Sequence, residues 1–163
     1  MSEEIVIRQG APTLAGIKTG SMFPYPCHDR RQLLDDVRAF NRRYAAKGLC
    51  LLPLRYSNGR ALLYLYRPAE LQRDLQNQLA AQLLTRAGYC SGSSACCVAQ
   101  LIRRMRESPE FPHEVGLFLS YPPEDVQGFI DNHAANFKCK GMWKVYGDAE
   151  QAQKTFRKYK ECT

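Results

Sequence analysis

Gly10 and Gly16, followed by Lys18, Thr19 and Ser21, are the nearest approach in this chain to a known chemical motif. Glycines, a lysine and a hydroxyl in that order suggest a phosphate-binding loop. Such a loop needs G-x-x-x-x-G-K-[ST], so that backbone amides wrap the phosphates and the lysine directly follows the last glycine. Here five residues separate the glycines, and Ile17 stands between Gly16 and Lys18. A phosphate loop also opens a helix, whereas Ser21-Met22-Phe23-Pro24-Tyr25-Pro26 cannot be one. Lys18-Thr19-Gly20 also matches a triplet of penicillin-binding enzymes, but the companion S-x-x-K is absent from the sequence. Lys18, Thr19 and Ser21 remain candidate ligand-binding residues at the end of a strand, able to offer positive charge and hydrogen bonds to a small anion.

His113 and Glu114 are the candidate acid–base pair. No second histidine completes H-E-x-x-H, which excludes the zinc protease arrangement. Neighbours on a strand point to opposite faces, an objection to both meeting one substrate. In Trp143-Lys144-Val145-Tyr146 the same alternation sets Lys144 and Tyr146 on one face, as further candidate ligand-binding residues.

Seven cysteines are an odd number, and none forms C-x-x-C. That spacing argues against zinc and against a disulfide framework, and no metal site is expected. Cys90, Cys96, Cys97 and Cys139 keep open an alternative, an accessory role in iron or thiol-redox handling. No cofactor is indicated.

The net charge is +7. The basic residues are dispersed to helix ends, as in Arg42, Arg43 and Lys47, or Arg103, Arg104 and Arg106, where cations favour the helix dipole. The dispersal argues against nucleic acid, since no binding motif accompanies it. An adaptor that binds a protein or nucleic acid through these helices is the third reading. The start Met1-Ser2-Glu3-Glu4-Ile5 is no signal peptide, and apolar runs such as Ala61 to Tyr66 fall far short of the ~20 residues of a membrane span. A cytoplasmic protein is expected, with its oligomeric state left open.

At 163 residues the chain fits one domain, with residues 1–10 a loosely held N-terminal segment. A strand is expected over Thr13 to Met22. Asp29 caps a helix reaching Lys47, which Gly48 ends. Strands Leu49 to Arg55 and Arg60 to Tyr66 flank Asn58-Gly59, a hairpin signal, and Pro53 marks an edge or a bulge. Leu71, Leu75, Leu79 and Leu83 predict one long helix from Pro68 to Arg86. Ser93 or Ser94 caps the next, with Val98, Leu101, Ile102 and Met105 inward. Val115 to Tyr121 reads as a fully apolar central strand. Pro123 opens a helix beside Glu124 and Asp125. Met142 to Tyr146 is a last strand, and Asp148 caps the last helix, with Gln151 completing a capping-box pattern. The order β-α-β-β-α-α-β-α-β-α predicts an α/β domain with a mixed five-stranded sheet and packed helices.

The blocks APTLAGIKTGSMF, EFPHEVGLFLSYPPEDVQGFIDN and GMWKVYGDAEQAQKTFRKY resemble those of the bacterial family, mainly from Firmicutes, designated domain of unknown function 3793. The resemblance runs from about Ala11 to Tyr159. It implies no activity. It marks the segments holding Lys18, His113-Glu114 and Trp143-Lys144 as those that define the family. If all three are strands of one sheet, Lys18, Glu114 and Lys144 should gather within about 10 Å around one concave surface. The leading expectation is a pocket at the sheet for a small anionic molecule, with chemistry by His113 and Glu114 if the protein is an enzyme.

Overall fold

The computed structural model describes residues 1–90 and 92–163. At its centre is an antiparallel sheet of three strands in the order β1-β3-β2, from β1 (Gly20–Pro26), β2 (Cys50–Ser57) and β3 (Arg60–Tyr66). Asn58 and Gly59 have φ of 51° and 71°, the left-handed pair that a tight two-residue turn requires, so the expected hairpin is present. β2 is an edge strand, and its pairing slips between Pro53 and Arg55. The bulge has a consequence for the faces. Cys50, Leu52 and Leu54 pack on one side, yet Tyr56 packs on the other, against strict alternation.

The central strand β3 serves two cores. Leu63 and Leu65 point to one face, Tyr64 and Tyr66 to the other. Each wholly buried leucine contributes roughly 1.5–3 kcal/mol. Helices α1 (Glu3–Leu14) and α2 (Arg30–Tyr44) cover the first face. Helices α3 (Pro68–Leu75), α4 (Gln78–Arg86) and α5 (Ser94–Glu107) cover the second, with a 3-10 segment at His113–Phe118 and helix α6 (Pro123–Asp131). A third, smaller core joins α7 (Ala149–Cys162) to a minimal hairpin of β4 (Cys139–Lys140) and β5 (Lys144–Val145), around Trp143, Phe156 and Tyr159.

The expected caps are in place: Asp29 on α2, Ser93 on α5 and Asp148 on α7 accept backbone N–H bonds. Gly48, at φ 77°, ends the turn after α2. Five expectations need correction. Among the described residues the strands form a three-stranded and a separate two-stranded sheet rather than a five-stranded one. Residues 1–10, expected to be loose, belong largely to α1, with Val6 buried under β1. The strand expected from Thr13 starts only at Gly20, because α1 continues through Gly10 and Pro12. The apolar run after Pro112 is a 3-10 segment rather than a central strand, and the long helix is broken at Asn77, whose side chain caps α4.

Gly20 explains how that 3-10 segment sits so close to the sheet. A Cβ there would lie 2.5 Å from the Phe118 carbonyl oxygen and 2.9 Å from the Tyr64 hydroxyl. These two groups are themselves bonded, Tyr64 donating to Phe118 at 2.6 Å. Only glycine permits the approach.

Candidate functional site

The loop from α1 to β1 is held rigidly. The Arg67 guanidinium donates to the carbonyls of Thr13 (2.8 Å), Leu14 (2.8 Å) and Lys47 (3.2 Å), satisfying the exposed end of α1. Ile17 and Lys18 N–H groups both reach the Pro12 carbonyl. The buried Ser21 and Thr13 hydroxyls bond each other at 2.8 Å. Ser21 therefore fastens β1 to α1.

Beyond this anchor opens a cleft of about 350 Å³, lined by Lys18, Thr19, Asp74, Ser120, Tyr121 and Tyr159 among others. The Thr19 hydroxyl donates to Asp74 at 2.5 Å, and the Thr19 N–H donates to the Ser120 hydroxyl at 2.7 Å. Ser120 adopts φ 65°, a left-handed backbone that costs a serine on the order of 1 kcal/mol. Ser120 and the buried Tyr159 both line the cleft. The strained turn thus sets its hydroxyl against a residue far away in sequence.

Lys18 is half-buried, its ammonium 5.5 Å from the Tyr159 ring centroid. Among the described residues it makes no ion pair and no side-chain hydrogen bond within the chain. Burial lowers its pKa from 10.5 to about 8, and no carboxylate offsets that loss of water. Across the cleft, burial raises the Asp74 carboxyl, while its bond from Thr19 partly opposes the shift. Glu70, also in the lining, is paired with Arg73.

A second cavity, of about 380 Å³, holds His113 and Lys144 with Tyr121, Phe129, Trp143 and the exposed Phe111. Lys144 is spoken for. Its ammonium donates to the Ala134 carbonyl at 2.8 Å and lies 4.9 Å and 5.9 Å from the Phe137 and Phe129 ring centroids. The Tyr146 hydroxyl donates to the Ala135 carbonyl at 2.9 Å. Together they pin a loop in which His133, Ala134 and Asn136 all have positive φ. The pinning rests on Asp125, 3% exposed, which accepts from Trp143 Nε1 (2.7 Å) and from the Tyr146 and Gly147 N–H groups (2.9 and 2.8 Å).

His113 and Glu114 do not share a cavity. His113 is exposed, edge-on to Phe129, whereas Glu114 is buried and accepts from Tyr89 Oη and Arg104, each at 3.0 Å. Lys18, Glu114 and Lys144 accordingly occupy three different places rather than one concave surface. Lys18 and Thr19 share the first cleft. Ser120, Asp74 and Tyr159 are the members of that cleft that sequence reading missed. Ser120 stands just before Tyr121-Pro122-Pro123, a turn signal that could have drawn attention to it.

The cysteines also need one correction, since Cys90 and Cys96 are disulfide-bonded to each other. Cys97 lies beside them, its thiol donating to the Cys90 carbonyl at 3.3 Å. Cys27, Cys50, Cys97, Cys139 and Cys162 are free. Among the described residues no group of three or more His, Cys, Asp or Glu side chains is placed to hold a metal ion. A broad groove carries Arg30, Arg55 and Arg106, but Arg55 is committed to the carbonyls of Ser108 and Pro109. No helix among the described residues is long and apolar enough to cross a membrane.

A family model described as a protein of unknown function, DUF3793, matches residues 6–163. The chain belongs to that family. The match takes in all three quoted blocks, so the Lys18 cleft, the Glu114 ion pair and the Lys144 loop all lie within the DUF3793 region. Nothing matches this DUF3793 chain among curated proteins or among solved structures.

Proposed function

We propose that this protein binds a small molecule with an anionic end in the cleft of Lys18. One observation carries the reading: the Lys18 ammonium is stripped of much of its water, has no ion-pair or hydrogen-bond partner among the described residues, and borders an open cleft. A desolvated unpaired charge is costly, and a bound anion would repay that cost. The Thr19 and Ser120 hydroxyls and the Tyr159 edge supply short-range polarity, while Asp74 suits a hydrogen-bond donor at the ligand's other end. The lining holds one cation and one unpaired carboxylate, which favours a small singly charged group over a polyanion. The volume of the cleft lies at the low end of the range for small-molecule sites. The surrounding bonds from Arg67 and Thr13 hold the loop in place before binding, which limits the ordering cost.

The test is an amide NMR titration with propionate, lactate, phosphate and glycine. Shifts should cluster at residues 16–20, 74 and 120, and vanish in Lys18→Met. Shifts centred instead on the arginine groove or on the Lys144 cavity would refute this placement.

A further inference from the structure

The Lys18 amine differs from an ordinary anion-binding lysine in what does not hold it. No carboxylate pairs with it and no carbonyl accepts from it among the described residues, so no ion pair or hydrogen bond holds it in the protonated form. The same cleft holds Asp74, the Tyr159 ring and Ser120, which accepts from the Thr19 N–H. A half-buried, unpaired amine lining an open cleft is an arrangement that allows a reversible carbonyl adduct.

We propose that Lys18 captures a small α-keto acid as an imine. This rests on the anion cleft proposed above and names its substrate class. The keto acid's carboxylate is drawn to the ammonium; the ammonium then gives up a proton to water in the open cleft. The Nζ lone pair attacks the keto carbon, forming a C–N bond and a carbinolamine. The C–O bond then breaks and the oxygen leaves as water, taking a proton back from the solvent in the cleft. Lysine ammonium plus ketone thus become iminium plus water, with no redox change and no net proton. The iminium restores a positive charge next to the ligand's carboxylate, so capture does not forfeit the electrostatic attraction. Burial that brings Lys18 to about 8 supports the chemistry. At pH 7.5 roughly a quarter of such an amine is free base, against about a thousandth of an exposed lysine. The groups facing Lys18 are Asp74 and Glu70 from α3 and Tyr159 from α7, and Glu70 is occupied by Arg73.

The experiment uses the full chain with pyruvate and sodium cyanoborohydride, followed by peptide mass spectrometry of every lysine. Carboxyethylation should favour Lys18 over exposed lysines such as Lys140, Lys154 and Lys158 by on the order of ten- to a hundredfold at pH 7.5. Trapping at Lys18 should rise with pH and level off above about 8. Lys18→Arg should remove that adduct and leave the others, and the site-resolved wild-type pattern decides the matter if the variant fails to fold. An even spread over all lysines, or an unreacted Lys18, overturns the proposal. Propionate, which has a carboxylate and no carbonyl, separates the two claims. If propionate binds the cleft but pyruvate is never trapped, imine formation falls and anion binding stands; if neither engages the cleft, both fall.

Discussion

Lys18 and Lys144 make the instructive comparison. Lys18 lies in the loop just before β1 and Lys144 in β5, and both looked like cations aimed at one shared ligand. The ammonium of Lys144 is consumed by the chain itself, donating to Ala134 and lying over two phenyl rings. The Lys18 ammonium lies over the Tyr159 ring but, among the described residues, has no carbonyl or carboxylate partner, and it has lost water to burial. What separates a structural lysine from a binding one is therefore the fate of its three donors, which is fixed by backbone carbonyls that no sequence pattern displays. The carbonyl that holds Lys144 belongs to Ala134, a residue at φ 65°.

The contrast can be broken most forcefully at Asp125. Asp125→Ala removes the acceptor of three donors, one buried and two half-buried, and should cost about 3 kcal/mol or more, read from urea unfolding. A loss below about 1 kcal/mol would mean that the Lys144 loop is held by something else. Glu114→Gln weakens the buried pair with Arg104 and the bond from Tyr89, and should cost roughly 1–3 kcal/mol without altering ligand binding. If binding failed while stability held, Glu114 would belong to the site after all. Lys144→Met should cost about 1 kcal/mol and leave anion binding intact.

Lys18→Met should show the reverse: binding lost, stability unchanged or slightly raised. Its pH dependence has a definite sign. Because folding lowers this lysine's pKa, the unfolded chain binds the proton more tightly between about pH 8 and 10.5. The wild-type protein should therefore gain stability relative to Lys18→Met as pH rises through that window. Parallel stability curves for the two proteins would show that the amine is not desolvated.

The parts of the fold legible in the sequence are those fixed by local chemistry. Asn58-Gly59 specifies a turn, Asp29 and Asp148 specify helix starts, and Pro123 fits the first turn of α6. The parts that were misread are those decided by packing. Gly10 and Pro12 are poor helix formers, yet α1 runs through both because its buried face meets Leu65 and Phe23. Val115 to Leu119 is apolar enough for a strand, and a short apolar run does not distinguish strand from buried turn. The tight 3-10 form follows from the approach that Gly20 allows. Of the site, Lys18 and Thr19 were readable as polar residues at a strand end. Asp74 was hidden on a helix expected to be continuous past it, and Tyr159 on a helix expected only to be basic. Their meeting depends on the break at Asn77 and on α7 folding back beside Ile17.

The claim at the centre of this account is that Lys18 carries an unpaired, desolvated ammonium facing an anion site. It is tested most directly by NMR titration of the lysine side chains in protein labelled with carbon-13 at lysine Cε, with Lys18→Met assigning the resonance. The account predicts a Lys18 midpoint near 8, moving upward when propionate is added. An ordinary lysine midpoint near 10.5 that propionate leaves unmoved would contradict it.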